Sequence, residues 1–320
     1  MQTLELIPAS PLPATLATFA PRVREYARAS RAENTLRGYR SDWAHFANWC
    51  ERVGFRSLPA NPETIAAYLT TVADQGLKAG SIQRRVSAIA ANHTASGYAN
   101  PAATAAVKLT LAGIRRKLGT HQQGKAPALT ADIRAMLATI PDTLIGKRNR
   151  ALILIGYAGA LRRSELVAVD VEDLEFTADG VRLTIRKSKT DQEGSGQLVG
   201  IASGGALCPV RAVKEWLEAS GITGGPVFHS VTRHGHLQPG RLTAQVVASV
   251  VKATAAAAGF DQAKYAGHSL RAGLVTQAAI NDVPEYKIMR QTRHKSSDMV
   301  RKYIRDANLF RDNVSARVGL

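Results

Sequence analysis

The chain carries the run KRNRALILIGYAGALRRSEL at residues 147–166 of its 320. From Ala151 to Leu161 nearly every side chain is apolar, and two arginines and Glu165 follow almost directly. A helix that is apolar on all sides must be buried, and this run is far too short to span a membrane. We therefore predict that residues 147–160 form the central helix of a globular domain, with charged residues at its end.

The sequence around this helix predicts a domain that combines helices with a small sheet. Val181–Ile185 alternates as a strand does, a polar loop follows over residues 187–196, and Gln197–Ile201 returns as an antiparallel partner. Further helices are expected from Thr130, from Pro209 through Trp216, over Ala244–Ala257, over Arg271–Ile280 and in short pieces up to the C-terminus.

The N-terminal half shows helical periodicity only. Apolar residues recur at steps of three and four between Asn34 and Gly54, and before them lies an arm that contains prolines. Three more helices are expected to start at Asn61-Pro62, Gly80-Ser81 and Pro101. Residues 119–129 lack periodic apolar side chains and predict a linker. The chain is thus expected to be mainly α-helical, with a helical bundle at residues 1–125 and an α+β domain with a small antiparallel sheet at 126–320.

The charge balance indicates a polyanionic partner. Lys and Arg number 42 against 25 Asp and Glu, and the net charge of +17 is spread through the whole chain. An anionic membrane would also attract it, but the basic residues form no juxtamembrane cluster, so nucleic acid is expected instead. The candidates for DNA contact lie near predicted helix ends: Lys78, Gln83, Arg84, Arg85, Arg115, Arg116 and Lys117.

Cysteine usage and the N-terminus indicate a cytoplasmic protein. Cys50 and Cys208 have no metal-ligand partners at zinc spacing and suit a reducing compartment. No basic region precedes an apolar stretch at the N-terminus, so no signal peptide is predicted. His234-Gly235-His236 has no acidic or cysteine partner nearby, so we expect no metal and do not favour a metal-dependent nuclease.

Six polar residues of the second half could together act on a phosphodiester: Arg162, Lys189, His268, Arg271, His294 and Tyr303. A phosphate under attack gathers negative charge on its non-bridging oxygens, which fixed Arg, Lys and His donors stabilise. Each residue alone also has an ordinary alternative. Arg162 could pair with Glu165 at a surface, Lys189 could be a solvated loop lysine, and Tyr303 could be a core aromatic of an amphipathic helix.

The sequence around these residues resembles the tyrosine recombinase, or phage integrase, family. Leu161-Arg162-Arg163-Ser164-Glu165-Leu166 is similar to that family's first arginine box, and Gly267-His268-Ser269-Leu270-Arg271-Ala272-Gly273 is similar to its H-x-x-R box. His294, with Tyr303 nine residues later, is similar to its final box. In the N-terminal half, Asn34-Thr35-Leu36, Tyr39 and Trp43 resemble the SAM-like core-binding domain of simple, Cre-like recombinases.

That resemblance implies a site-specific recombinase that needs neither cofactor nor metal. Tyr303 would attack the scissile phosphate and leave a 3′-phosphotyrosyl link, with His268 managing the tyrosine proton and Lys189 protonating the 5′-oxygen. Glu165 would orient the first arginine box. The phosphoryl oxygens would be held by Arg162, Arg271 and His294. Strands would be exchanged between paired DNA sites through a Holliday junction in a synaptic tetramer.

Several alternatives stay open at this point. Lys187 lies in the same loop as Lys189 and could be the general acid instead. Residues 306–320 form an amphipathic tail that docks either on a neighbouring protomer, as in the resembling family, or on its own domain. Gln291-Thr292-Arg293 precede His294 where the family often has Leu-Gly. Rival functions are DNA relaxation as by a type IB topoisomerase and a catalytically silent DNA-binding regulator on the same scaffold.

Overall fold

The computed structural model describes residues 18–121, 124–188, 191, 196–294, 296–307, 310 and 313–318. The chain divides into two compact units, Met1–Gln123 and Gly124–Leu320. Within the described residues, no helix is both long enough and apolar enough to cross a membrane.

The described part of the first unit is helical. Its helices are α1 (Ala20–Ala29), α2 (Glu33–Val53), α3 (Pro62–Asp74), α4 (Ala79–Ala95) and α5 (Ala105–Leu118), with a 3₁₀ turn at Pro101–Ala103. Gly54 ends α2 in the left-handed conformation (φ 75°), which glycine adopts at little cost. Phe46, Ile65, Tyr68 and Ile89 are among the fully buried side chains of the core between these helices.

Helix α1 was not predicted, because its residues belong to the expected arm. Its sequence is APRVREYARA, and Val23 and Tyr26, like Phe19 just before it, are exposed. Phe19, Val23 and Tyr26 do recur at steps of four and three, but this pattern is short, lies in the proline-containing arm and is exposed where the structure describes it.

The second unit is built around the predicted apolar helix. Its helices are α6 (Thr130–Ala138), α7 (Leu144–Ala158), α8 (Arg163–Ala168), α9 (Pro209–Ser220), α10 (Ala244–Ala257), α11 (Gly267–Ile280), α12 (Glu285–Thr292) and α13 (Ser297–Ala307), with short 3₁₀ turns at Val171–Asp173, Gln262–Lys264 and Val314–Arg317. Every residue of α7 from Ala151 to Gly156 is buried. The mainly helical fold class with a small antiparallel sheet is confirmed.

Two small antiparallel sheets lie in the second unit. In the first, β2 (Gly180–Ile185) pairs with both β1 (Leu174–Phe176) and β3 (Gln197–Ala202). The register sets Val181 opposite Ile201 and Leu183 opposite Val199, all four buried. The second sheet pairs β4 (His229–Val231) with β5 (Leu237–Arg241). Strands β1, β4 and β5 were not predicted, because they are too short or too interrupted by proline and glycine to show alternation.

The last part of the predicted linker, residues 126–128, is attached to α11 and to the 3₁₀ turn before it. The Ala126 amide donates to the Lys264 carbonyl (2.8 Å), and the Ala128 amide donates to the Ser269 carbonyl (3.0 Å). At Gly273 the helix passes so close to this segment that an added Cβ would overlap the Ala128 backbone. Glycine at that position therefore permits the close approach of α11.

Candidate active site

Arg162 lies at the entry to α8, where a buried carboxylate holds it. Its amide donates to Glu165 Oε2 (2.9 Å) and its Nη1 donates to Glu165 Oε1 (2.6 Å). The Glu165 side chain is only 2% exposed, whereas that of Arg162 is 20% exposed. A buried carboxylate needs such partners, so the pair with Glu165 is an internal one that leaves part of the guanidinium accessible.

Arg271, on the first turns of α11, is buried and fixed on several sides. Its Nη1 donates to the Ala160 carbonyl (2.6 Å), and its Nη2 donates to the Thr292 carbonyl and to His294 Nε2 (3.2 Å). Burial, together with Arg162 and Arg293, lowers the pKa of Arg271 to about 10. The group therefore stays cationic at neutral pH and has little freedom to turn away.

His294 follows α12 in a turn and is neutral at pH 7. The Thr292 hydroxyl donates to the Ile288 carbonyl (2.8 Å) and lies 2.7 Å from His294 Nδ1, so Nδ1 carries the proton and donates to it. Nε2 is then the acceptor for Arg271. Burial first, and then the cations Arg271 and Arg162, lower the pKa of His294 to about 4.

Tyr303, on α13, meets His268 from α11. The Tyr303 hydroxyl and His268 Nε2 lie 3.2 Å apart. Burial, and then Arg271 and Arg162, lower the pKa of His268. The tyrosine ring is half-buried and packs against the cluster of Val275, Ile288 and Val300. The ring therefore does pack as a core aromatic does, while its hydroxyl reaches the imidazole.

The predicted site residues that the structure describes thus come together in one place. Arg162, His268, Arg271, His294 and Tyr303 are joined by hydrogen bonds or by mutual charge interactions. Lys189 lies outside the described residues. Lys187 is exposed just past β2, where it lines a cleft together with Glu165 and Arg241.

Sequence reasoning missed two residues of the site, Thr292 and Arg293. Thr292 is fully buried and fixes the ring of His294, and the buried Arg293 guanidinium donates to Glu165 Oε2 (2.8 Å). The only signal for Arg293 was its place beside His294 in a position where the resembling family often has glycine.

The pKa of His294 predicts how stability depends on pH. An unfolded histidine takes up a proton below about 6.5, but the folded site resists protonation until about pH 4. The contribution of neutral His294 to the free energy of unfolding is therefore complete above pH 6.5 and is lost as pH falls toward 4. We expect the melting temperature of the wild type to drop more between pH 7.5 and pH 5 than that of His294→Gln. His236→Gln, at an exposed loop position, is the control, and parallel curves for wild type and His294→Gln would contradict the assignment.

In the first unit, some candidate DNA-contacting residues are engaged internally. Arg84 makes two hydrogen bonds to the buried Asp42 carboxylate (2.7 and 3.1 Å) and remains largely exposed. Arg85 is mostly buried and donates to the Tyr68 hydroxyl (2.7 Å). Gln83 accepts from Arg115 and so links α4 to α5. The remaining candidates are exposed: Lys78, Arg116 and Lys117.

The C-terminal residues that the structure describes expose apolar side chains. Phe310 is 86% exposed, Val314 71% and Val318 60%. Leu309, which the amphipathic pattern also includes, lies outside the described residues. The choice between docking on a neighbour and docking at home stays a prediction.

Comparison with known proteins identifies the family. Residues 129–309 match the phage integrase family, and residues 25–95 match the N-terminal SAM-like domain of phage integrases. The integrase/recombinase XerD homolog of Selenomonas ruminantium is 45% identical over 296 residues, covering 90% of this chain and 86% of that protein. Recombinase Cre of Escherichia phage P1 is 25% identical over 321 residues, covering 94% and 92%. The fold is shared with a lambda integrase dimer bound to a COC′ core site, at 17% identity and a TM-score of 0.61, over 93% of this chain and 79% of that one. The chain belongs to the phage integrase family and is a tyrosine-type site-specific recombinase.

Proposed function

We propose that this protein cuts and rejoins DNA at specific sites with Tyr303 as the nucleophile. The observation that carries the proposal is the hydroxyl of Tyr303 lying 3.2 Å from His268 Nε2, in a site where Arg162 and Arg271 supply positive charge. A tyrosine that can lose its proton to a neutral imidazole, beside fixed cations, is suited to attack on a phosphate.

The cleavage step exchanges one ester for another. As the Tyr303 oxygen bonds to phosphorus, its proton passes to His268, and the bond from phosphorus to the 5′-oxygen breaks. The departing 5′-oxygen takes a proton from Lys189. The product is a 3′-phosphotyrosyl link with a free 5′-hydroxyl. Because the energy of the ester is retained, the 5′-hydroxyl of another strand can reverse the step without an added energy source.

Arg162, Arg271 and His294 stabilise the transition state. Each donor aimed at a non-bridging oxygen contributes about 2.7–4 kcal/mol if it behaves as an oxyanion-hole donor does. His294 is neutral before DNA binds, because burial and the neighbouring cations lower its pKa. A phosphate anion beside it would raise the pKa again. Once protonated, Nε2 can donate to the phosphate instead of accepting from Arg271.

Recombination between two duplexes needs four such sites, since each active site cuts one strand. We propose a tetramer on paired sites, with exchange through a Holliday junction and with the tail of residues 306–320, in which Phe310, Val314 and Val318 are exposed, docking on a neighbouring protomer. The basic helix ends of residues 1–125 would contact the DNA. Support for a DNA partner comes from the net charge of +17 and from the lambda integrase relative, which was solved on a core site.

Trapping the covalent intermediate tests the proposal. The site is first recovered by selecting bound fragments from the DNA that carries the gene, and a nick is then placed close to the cleavage position so that the short 5′-hydroxyl fragment diffuses away. In EDTA the wild-type protein should form an adduct that survives denaturation, at the 3′ end of the cut strand, and peptide mapping should locate it at Tyr303. An adduct on another residue, on a 5′ end, or only with added metal would overturn the mechanism. Relaxation of a supercoiled plasmid without any exchange between two sites would favour the topoisomerase-like alternative.

A further inference from the structure

Arg293 occupies a position that is costly for an arginine in two ways. Its backbone is left-handed (φ 58°, ψ 38°), a conformation that a side chain with a Cβ disfavours. Its side chain is also only 5% exposed, although it carries a charge. Glycine would avoid both costs. An arginine in this place therefore needs compensating interactions, and their partners indicate what the side chain does.

The compensating partners lie on the elements that carry the catalytic groups. Arg293 Nη2 donates to Glu165 Oε2 on α8 (2.8 Å) and to the Ala160 carbonyl (3.4 Å), and Nη1 donates to the Gly159 carbonyl (3.2 Å). One guanidinium thus ties the turn before His294 to the start of α8 and to the turn that ends α7.

Glu165 is shared between two arginines. Its Oε1 accepts from Arg162 Nη1, and its Oε2 accepts from the Arg162 amide and from Arg293. With Arg293 in place, both oxygens are held by charged donors and the carboxylate has one orientation. The carboxylate carries one negative charge and is shared by two cations. It therefore neutralises the charge of Arg162 less completely than in a simple ion pair, and Arg162 attracts a phosphate more strongly.

Arg293 also reaches Arg271 through the backbone of Ala160. Ala160 is left-handed as well (φ 47°), and its carbonyl accepts from Arg271 Nη1 (2.6 Å) and from Arg293. Non-glycine residues in this conformation persist only where their surroundings hold them. The Arg293 hydrogen bonds to Gly159 and Ala160 supply such a restraint, and so keep the Ala160 carbonyl directed at Arg271.

We propose that Arg293 is a positioning residue for strand cleavage. It fixes the orientation of the Arg162 guanidinium through the shared carboxylate of Glu165, and it fixes that of the Arg271 guanidinium through the carbonyl of Ala160. The inference rests on the proposed function, because it assigns Arg293 a part in the same cleavage step. Arg293 itself does not touch the phosphate.

The test compares cleavage rate with DNA affinity in Arg293 variants of the full chain. Arg293→Gly suits the left-handed backbone, so it removes the side chain without straining the turn. On the nicked duplex at saturating protein, adduct formation should slow by up to about 100-fold, since small misplacements of catalytic groups cost that much, while DNA affinity stays near the wild-type value. Arg293→Lys should be intermediate because it restores the charge but not the forked hydrogen bonds. Melting temperatures show that each variant is folded at the assay temperature.

Two further comparisons separate positioning from a general structural effect. Asp282→Gly changes another left-handed residue (φ 56°), one that is exposed, and should cleave at the wild-type rate. Combining Arg293→Met with Glu165→Gln should cost less than the sum of the two single changes, because both changes act in part through the same carboxylate. A wild-type rate in folded Arg293→Gly, a rate loss matched by lost DNA affinity, or additive losses in the double variant would overturn the role of Arg293. Wild type, run in parallel, must form the adduct; if it does not, the proposed function fails, and this role fails with it.

Discussion

Tyr303→Phe is expected to bind the DNA site with wild-type affinity and to form no covalent adduct. The substitution removes one oxygen, the atom that lies 3.2 Å from His268 Nε2. The ring keeps its packing against Val275, Ile288 and Val300, so the helix that carries it should stay in place. The basic residues that are expected to contact phosphates, and so to supply a large share of the affinity for DNA, are unchanged. Cleavage should therefore fall to background while binding remains.

The measurement pairs a gel-shift titration with adduct detection after denaturation. Tyr286→Phe is the matched control, because Tyr286 lies on α12 in the same unit and is 66% exposed. That variant should cleave as the wild type does. Any adduct formed by Tyr303→Phe would show that another residue attacks the phosphate.

Lys189→Ala is expected to slow cleavage of ordinary DNA by about 10²–10⁴-fold, the usual contribution of a positioned general acid. The same variant should cleave a strand with sulfur in place of the bridging 5′-oxygen at nearly the wild-type rate. A thiolate is a far weaker base than an alkoxide and leaves without a proton. Loss on the oxygen substrate with recovery on the sulfur substrate is therefore the signature of the missing acid.

Lys187→Ala supplies the comparison. Lys187 is exposed and lines the same cleft as Glu165. Its ammonium group could therefore also protonate the 5′-oxygen. We expect this variant to cleave both substrates nearly as the wild type does. If the sulfur-dependent recovery is seen with Lys187→Ala and not with Lys189→Ala, the general acid is Lys187.

The parts of the fold that local periodicity could predict were those that bury a complete face. The apolar run of α7 is visible in the sequence because the helix is buried on all sides. The alternation in β2 and β3 is visible because every second side chain packs in the core. The described side chains of helix α1 are exposed, and the three residues of β1 are too few to show a period. Those elements depend on their surroundings, which a local pattern does not contain.

The same distinction applies to the site. That His268, Arg271 and Tyr303 lie close together could be predicted because the sequence around each of them resembles the motifs of a known family. Arg293 could not, since a basic residue in a turn is normally exposed, and only the folded chain reveals that Glu165 lies within reach of it. The Glu165 carboxylate likewise has two arginine partners, of which the sequence indicated only Arg162.

The attachment of residues 126–128 to α11 has a mechanical consequence. The chain enters the second unit through backbone hydrogen bonds to Lys264 and Ser269, and it presses against the helix at Gly273. Ser269 stands between His268 and Arg271 in the sequence. A pull on residues 126–128 would therefore act first on the helix that carries His268 and Arg271, the proposed proton acceptor and one of the proposed phosphate-binding residues. Within the second unit, a shift in the backbone of residues 126–128 would therefore disturb the first turns of α11, where both side chains begin.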